Sequence, residues 1–374
     1  MLSEKRKVVF YLNCLGKGGA EKVVSLLASS MSADNWDVTI AMLYKDRDEY
    51  PTDERVNKVY LGIQDESVGR IKVLQSRIKA LRRMIQSEKP DVLISFMKSA
   101  IYRSLFATFG MKVPMIVSVR NDPNTDFVGL KNRIFTSYMS RKVMGCVFQT
   151  EDAKHFFSQK LQRKSCVIPN PVSKKYIGIE QSVEKRKIIA SVGRLVPQKN
   201  HLLLINAFAA IRERYPDYVL RIYGAPDGGT YYDGLKQCIM EHNLEQKVFF
   251  MGTSNSLETE LKDISMFVLS SDYEGLPNSL IEAMVMGIPV ISTDCPCGGP
   301  KTLIRDGENG LLIPVGDVDK LVEAMTYYLE HPEKTHEMGM KGQEILKQVA
   351  PEKVTEAWEN YINQVLQKKQ RKCS

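Results

Sequence analysis

Met266-Phe267-Val268-Leu269-Ser270-Ser271-Asp272-Tyr273-Glu274-Gly275-Leu276-Pro277-Asn278-Ser279-Leu280-Ile281-Glu282-Ala283-Met284 changes periodicity midway. The apolar run Met266 to Leu269 reads as a strand buried on both faces, whereas Leu280, Ile281, Ala283 and Met284 recur at helical spacing. Pro277 and Asn278 suit the cap and first turn of that helix. Glu274 therefore falls in a strand-to-helix turn, and Glu282 about one turn into the helix. Open α/β sheets bind ligands at the carboxyl ends of their strands. Two carboxylates there, beside a helix N-terminus, suit a polar ligand that also carries negative charge. The plainer alternative is one helix-capping Glu and one solvated surface Glu.

The same strand-turn-helix pattern recurs on both sides of this window. Ile188 to Val192 reads as a strand, Gly193-Arg194-Leu195-Val196-Pro197-Gln198-Lys199-Asn200 as its turn, and His201 to about Tyr215 as a helix. Further strands are expected at Val219 to Tyr223, Val248 to Met251, Pro289 to Ser292 and Gly310 to Ile313. Near the start, Lys7 to Asn13 reads as a strand and Gly16-Lys17-Gly18-Gly19-Ala20-Glu21 as a glycine-rich turn. Val23, Val24, Leu26, Leu27 and Met31 then mark a helix. Glycines let backbone N–H groups approach a phosphate closely, although a plain tight turn explains them equally well. The spacing is neither a dinucleotide fingerprint nor a nucleotide-triphosphate loop. Strands at Val38 to Leu43, Asp91 to Ser95, Met115 to Val119 and Gly145 to Gln149 complete the first half. Such alternation predicts an α/β protein with parallel, doubly wound sheets covered on both faces.

A length of 374 residues calls for about two domains. The sequence divides into residues 1–172, a polar linker at 173–187 after Val167-Ile168-Pro169-Asn170-Pro171-Val172, and a second domain at 188–350. A last helical stretch, 351–374, has Trp358, Tyr361, Ile362 and Val365 on one side and is expected to pack back on the first domain. No run of 18 apolar residues and no charged-then-apolar leader is present, against transmembrane and secretory readings. Seven scattered cysteines fit a reducing cytoplasm better than a disulfide scaffold.

Charge is distributed unevenly. Up to Lys175 there are 30 Lys and Arg against 17 Asp and Glu; beyond it there are 22 against 27. The first half should face an anionic partner. Within it, Arg70 to Ile85 places Ile71, Leu74, Ile78, Leu81 and Ile85 in one stripe flanked by six basic residues and no acid. That pattern fits a packed helix with a solvated basic face, or a helix resting on anionic lipid headgroups. No base-reading motif or aromatic interleaving points to nucleic acid.

Gly18-Gly19-Ala20-Glu21, Gly193-Arg194 with Lys199, Glu274 followed by Glu282, and Asp306-Gly307-Glu308-Asn309-Gly310-Leu311-Leu312 together resemble glycosyltransferase family 4. The resemblance implies a retaining enzyme of the GT-B architecture, two Rossmann-like domains facing across a cleft, with a nucleotide sugar as donor. It implies Arg194 and Lys199 on the donor diphosphate, Glu274 on the donor sugar and Glu282 on the ribose diol. It also implies Gly193, Gly275, Leu276, Pro277 and Asn278 against the donor, with backbone N–H groups from Gly275, Leu276 and Asn278, and Gly18 and Gly19 closing over the diphosphate. Fixed cations and helix-end amides would stabilise the departing diphosphate, so neither metal nor cofactor is expected. Many members place a His after the fourth N-terminal strand; here Arg120 and Asn121 occupy that stretch, and Arg120 is the candidate substitute.

Asp294-Cys295-Pro296-Cys297-Gly298-Gly299-Pro300 resembles bacterial members that build lipid-linked glycans from UDP-sugars. The expected protein is thus a hexosyltransferase of surface-polysaccharide or glycolipid assembly. It would be cytoplasmic and peripheral at the inner face of the membrane, taking a UDP-N-acetylhexosamine or UDP-hexose and either a lipid-linked acceptor, such as a polyprenyl-diphosphate sugar, or a polysaccharide acceptor. Rival expectations are a transferase with a soluble acceptor, a sugar-nucleotide epimerase of the same architecture, and a non-catalytic carbohydrate-binding protein.

Overall fold

A computed structural model describes residues 5–16, 18–34, 36–62, 69–182, 184–226 and 228–373. Lys17 of the glycine-rich turn and Val183 of the expected linker lie outside them. The chain forms two compact units, 1–171 with 350–374, and 172–349.

The first unit is built on β1 (Arg6–Leu12), β2 (Trp36–Met42), β3 (Asn57–Tyr60), β4 (Val92–Phe96), β5 (Met115–Ser118), β6 (Gly145–Phe148) and β7 (Ser165–Val167). They lie side by side in the order β3-β2-β1-β4-β5-β6-β7, every pairing parallel. β4 and most of β1 are buried on both faces, as their unbroken apolar runs require. One face packs the helix Gly19–Ala33 and the helix Pro351–Cys373, which buries Val354, Trp358, Ile362 and Val365 in the same core as Phe10 and Phe96. Trp358 has no exposed surface and stacks on Phe96 with ring centroids 5.7 Å apart. Tyr361 Oη accepts from Cys146 N at 2.9 Å and fixes the helix to β6.

The opposite face packs the helices Arg70–Glu88 and Lys98–Ala107. Here the expected stripe splits. Leu81 and Ile85 are buried with Met84, but Ile71 is 74% exposed and Leu74 46% exposed. The second half of the helix packs on the sheet and on its neighbour, where Arg82 Nη1 donates to the carbonyls of Ala107 and Phe109.

The second unit holds β8 (Arg186–Val192), β9 (Val219–Tyr223), β10 (Val248–Gly252), β11 (Ile264–Leu269), β12 (Val290–Thr293) and β13 (Leu311–Ile313). Their order is β10-β9-β8-β11-β12-β13, again all parallel. Within the stretch read as a linker, Tyr176 is buried in this unit's core, and Arg186 and Lys187 belong to β8. Tyr176, an aromatic side chain among charged neighbours, draws the segment inward. In both sheets the chain starts in the middle and winds outward in both directions, so the strand order reverses between β1 and β4 and between β8 and β11. Loops following the strands on either side of such a reversal splay apart and leave a crevice at the carboxyl edge.

Candidate active site

In the second unit the crevice lies between the loops after β8 and β11. The two loops are laced together. Asp272 N donates to Gln198 O at 2.9 Å, Gln198 Nε2 to Tyr273 O at 2.9 Å, and Ser270 Oγ to Lys199 O at 3.0 Å. Asn200 Nδ2 donates to Asp272 Oδ1 at 2.7 Å, while Asn200 Oδ1 accepts from Leu203 N at 3.2 Å and caps the helix His201–Ile211. Asn200 adopts φ 43° and ψ 50°, a left-handed conformation that asparagine tolerates better than most residues. One residue thus turns the chain, starts the helix and ties the two loops.

Lacing brings Lys199 and Glu274 together. Lys199 Nζ donates to Glu274 Oε1, and Ser271 Oγ donates to the same oxygen at 2.7 Å. The Lys and Glu side chains are 16% and 8% exposed. A carboxylate removed from water to that extent needs such partners to remain charged without a large penalty. The Glu274 backbone is fixed as well, its N–H donating to Pro296 O at 2.8 Å and its carbonyl accepting from Cys297 N at 3.1 Å. A Cβ at Gly299 would collide with the Gly275 carbonyl oxygen, so only glycine lets the 295–299 loop come this close. Burial, with the Glu274 carboxylate as a further cause, pushes the Cys295 thiol up to about 12, so it stays protonated.

The helix Asn278–Val285 starts immediately after Pro277, at the end of the turn that carries Glu274. Glu282 projects from its second turn into the interior. Residue exposures of 6% for Glu274 and 5% for Glu282 rule out the plainer alternative of a solvated surface carboxylate at either position. On the other side, a Cβ at Gly193 would press the Lys199 side-chain stem at 3.1 Å, and one at Gly224 would collide with the Gly193 carbonyl oxygen. Arg194 is exposed, and its guanidinium has no hydrogen bond or ion pair among the described residues. His201 was given no role by the sequence. It is buried, its Nε2 lies 3.2 Å from Arg194 O, and burial pulls its pKa down to about 4. A neutral imidazole therefore holds the backbone of the residue that presents the guanidinium; donation to a carbonyl assigns the proton to Nε2.

In the first unit, Gly18 precedes the helix Gly19–Ala33, and its N–H donates to Gly16 O at 2.7 Å. Arg120 follows β5, but its guanidinium turns into the interior of this unit, 4.8 Å from the Phe96 ring centroid and 5.6 Å from that of Trp358. Nη1 donates to Asn170 Oδ1 at 2.7 Å, and Gln149 Nε2 donates to the same oxygen at 2.8 Å. Burial lowers the Arg120 pKa to about 9, which still leaves a cation at neutral pH. Asp46-Arg47-Asp48 and Asp317-Val318-Asp319 have the Asp-x-Asp form, and their carboxylates have structural partners: Asp46 Oδ1 accepts from Asp48 N at 3.2 Å, and Asp317 Oδ1 accepts from Lys320 N at 2.9 Å.

Known proteins are similar to this chain in sequence and in fold. A family described as Glycosyltransferase Family 4 matches residues 17–175, and one described as Glycosyl transferases group 1 matches residues 172–345. An uncharacterized glycosyltransferase of Haemophilus influenzae is 25% identical over 96% of this chain and 100% of its own. A Campylobacter jejuni protein named N-acetylgalactosamine-N,N'-diacetylbacillosaminyl-diphospho-undecaprenol 4-alpha-N-acetylgalactosaminyltransferase is 29% identical over 87% of this chain and 90% of its own. The crystal structure of Anabaena HepE in complex with UDP and glucose superposes with a TM-score of 0.82 at 18% identity, covering 96% of this chain and 99% of that one. Two doubly wound parallel units in GT-B form, each matched in its own half, place this chain among the glycosyltransferases as a family 4 domain followed by a group 1 domain.

Proposed function

We propose that this glycosyltransferase moves a hexose or N-acetylhexosamine from a UDP-sugar to a lipid-linked acceptor, with retention at the anomeric carbon. The observation that carries the reading is the buried Lys199–Glu274 pair at the strand reversal of the group 1 domain. A cation and a carboxylate held in contact suit a ligand in which a phosphate adjoins a hydroxylated ring. Lys199 and Arg194 take the diphosphate, whose charge grows as the sugar–phosphate bond breaks. Glu274 accepts hydrogen bonds from sugar hydroxyls, Glu282 from the ribose diol, and the N–H groups of Gly275, Leu276 and Asn278 line the diphosphate or sugar. Support for the acceptor class comes from the Campylobacter relative, whose name specifies a diphospho-undecaprenol substrate. Support for the nucleotide comes from HepE with bound UDP.

The protein then works at the inner face of the membrane, against an anionic surface. Among the described residues no helix is long and apolar enough to cross a bilayer. The deciding experiment incubates purified protein with a panel of nucleotide sugars and polyprenyl-diphosphate-linked acceptors, read by nucleotide release and product mass. A UDP-sugar should give an acceptor heavier by one sugar with the α configuration of its donor. Epimerised donor without any acceptor, or transfer to soluble sugars alone, would sink the reading.

A further inference from the structure

We propose that a second site, within the first unit, binds the headgroup of an anionic membrane phospholipid and seats that unit on the bilayer. A cleft of about 890 Å³ lies between the start of the helix Leu130–Lys142 and the segment around Phe156 to Lys160. Its floor is aromatic and fixed. Phe127 and Phe157 are buried and meet edge-on with centroids 5.4 Å apart, and Phe148 backs Phe157 at 5.2 Å. Its rim carries Arg133, Arg141 and Lys160, and among the described residues no carboxylate lines it. Thr136, Ser137 and Ser158 add hydroxyl groups.

Next to the cations, this helix and the turn that leads into it leave apolar side chains in water. Val128 is 56% exposed, Leu130 74% and Ile134 65%; Leu130 and Ile134 are one turn apart on one helix face. A single exposed Leu needs no explanation, but a cluster rimmed by cations does. The helix carries Lys131, Arg133, Arg141 and Lys142 with no acid. Apolar side chains that enter the acyl boundary, beside cations at phosphate level, are what a bilayer with anionic lipid complements. A nucleotide or free sugar would leave Leu130 and Ile134 without a partner, and an acidic peptide would leave the cluster half-covered.

This site complements a lipid-linked acceptor but does not depend on the transfer reaction. The exposed start of the helix Arg70–Glu88, with Ile71 and Leu74, is the rival contact surface.

The test cosediments the full chain with phosphatidylcholine vesicles, with and without phosphatidylglycerol. Binding should require phosphatidylglycerol and weaken as salt rises. Arg133→Glu with Arg141→Glu should lower partitioning by roughly 25-fold or more, about fivefold for each cation lost. Leu130→Glu with Ile134→Glu should also release the protein. All four positions are exposed, so unchanged thermal unfolding serves as the folding control. Ile71→Glu with Leu74→Glu should retain most of the binding. Loss of binding in that variant alone would overturn the proposal, as would equal binding to both vesicle types. Displacement of the protein by soluble glycerol phosphate would reassign the cleft to a free phosphate ligand and overturn it too. Vesicle binding is read without donor or acceptor, so failure of sugar transfer leaves it standing. Conversely, a vesicle-blind variant that still glycosylates a detergent-dispersed acceptor leaves the proposed function standing.

Discussion

Lys199 Nζ and Glu274 Oε1 form a buried ion pair although they come from different strand-end loops, one after β8 and the other after β11. Ser271 completes the carboxylate's shell, and the lacing of Gln198 and Asn200 to Asp272 and Tyr273 fixes the separation of the two loops. Removing the cation alone leaves a buried charge uncompensated, whereas removing both charges does not. Lys199→Met should therefore lower unfolding stability by about 3 kcal/mol. Lys199→Met with Glu274→Gln should regain much of that loss and stay inactive. Chemical denaturation of both variants is the check. A single variant as stable as the parent would mean the pair is solvated in solution.

The two glutamates of the opening window should separate kinetically. Glu274→Gln should depress kcat by about 100-fold with a small change in donor KM, because a contact at the reacting sugar strengthens as charge develops. Glu282→Gln should raise donor KM by roughly tenfold, the loss of one charge-assisted hydrogen-bonding site, and leave kcat within a fewfold. Steady-state kinetics with varied donor decides it. Equal loss of kcat in both variants would make the pair one functional unit.

His201 predicts acid sensitivity of the second unit. Its folded pKa, about 4, lies below the ordinary value of 6.5. Between those values the unfolded chain binds a proton that the folded chain refuses, so stability rises with pH across this window. The contribution is complete above about pH 6.5 and falls away as pH drops towards 4, by about 3 kcal/mol at most. His201→Gln should flatten that part of the profile in urea melts at stepped pH. It should also raise donor KM, since Arg194 loses the group that holds its backbone. An unchanged slope would show that the imidazole is not the sensor.

Chelation gives a further test. If Arg194, Lys199 and the first-turn amides of the helix Asn278–Val285 carry the leaving diphosphate, EDTA should leave turnover largely intact. Arg194→Ala should instead cost about 100-fold in kcat. Full loss in EDTA, restored by a divalent cation, would reject the metal-free account.

The parallel sheets were legible in sequence because a strand buried on both faces must be apolar at nearly every position, as Phe10 to Leu12, Val92 to Phe96 and Met266 to Leu269 are. Punctuation by glycine and proline placed the turns that hold Gly18, Gly193 and Glu274. The edge strand Asn57–Tyr60 escaped notice, since a short, partly solvated edge needs no apolar run. Motif spacing likewise identified Lys199 and Glu274 as separate candidates, for a phosphate and for a sugar.

What joined them was the strand order. Residues 75 positions apart became hydrogen-bonded only because β11 returns to lie beside β8. Burial also waited on the tertiary structure. Glu282, whose place near a helix start also reads as that of a solvated carboxylate, is buried in the fold. Arg120, expected near the reacting sugar, is likewise drawn inward, a cation held between Phe96, Trp358 and Asn170. Local sequence determines which elements form, because periodicity and turn chemistry act over a few residues. Which charges meet, and which lose their water, is decided by contacts between segments far apart along the chain.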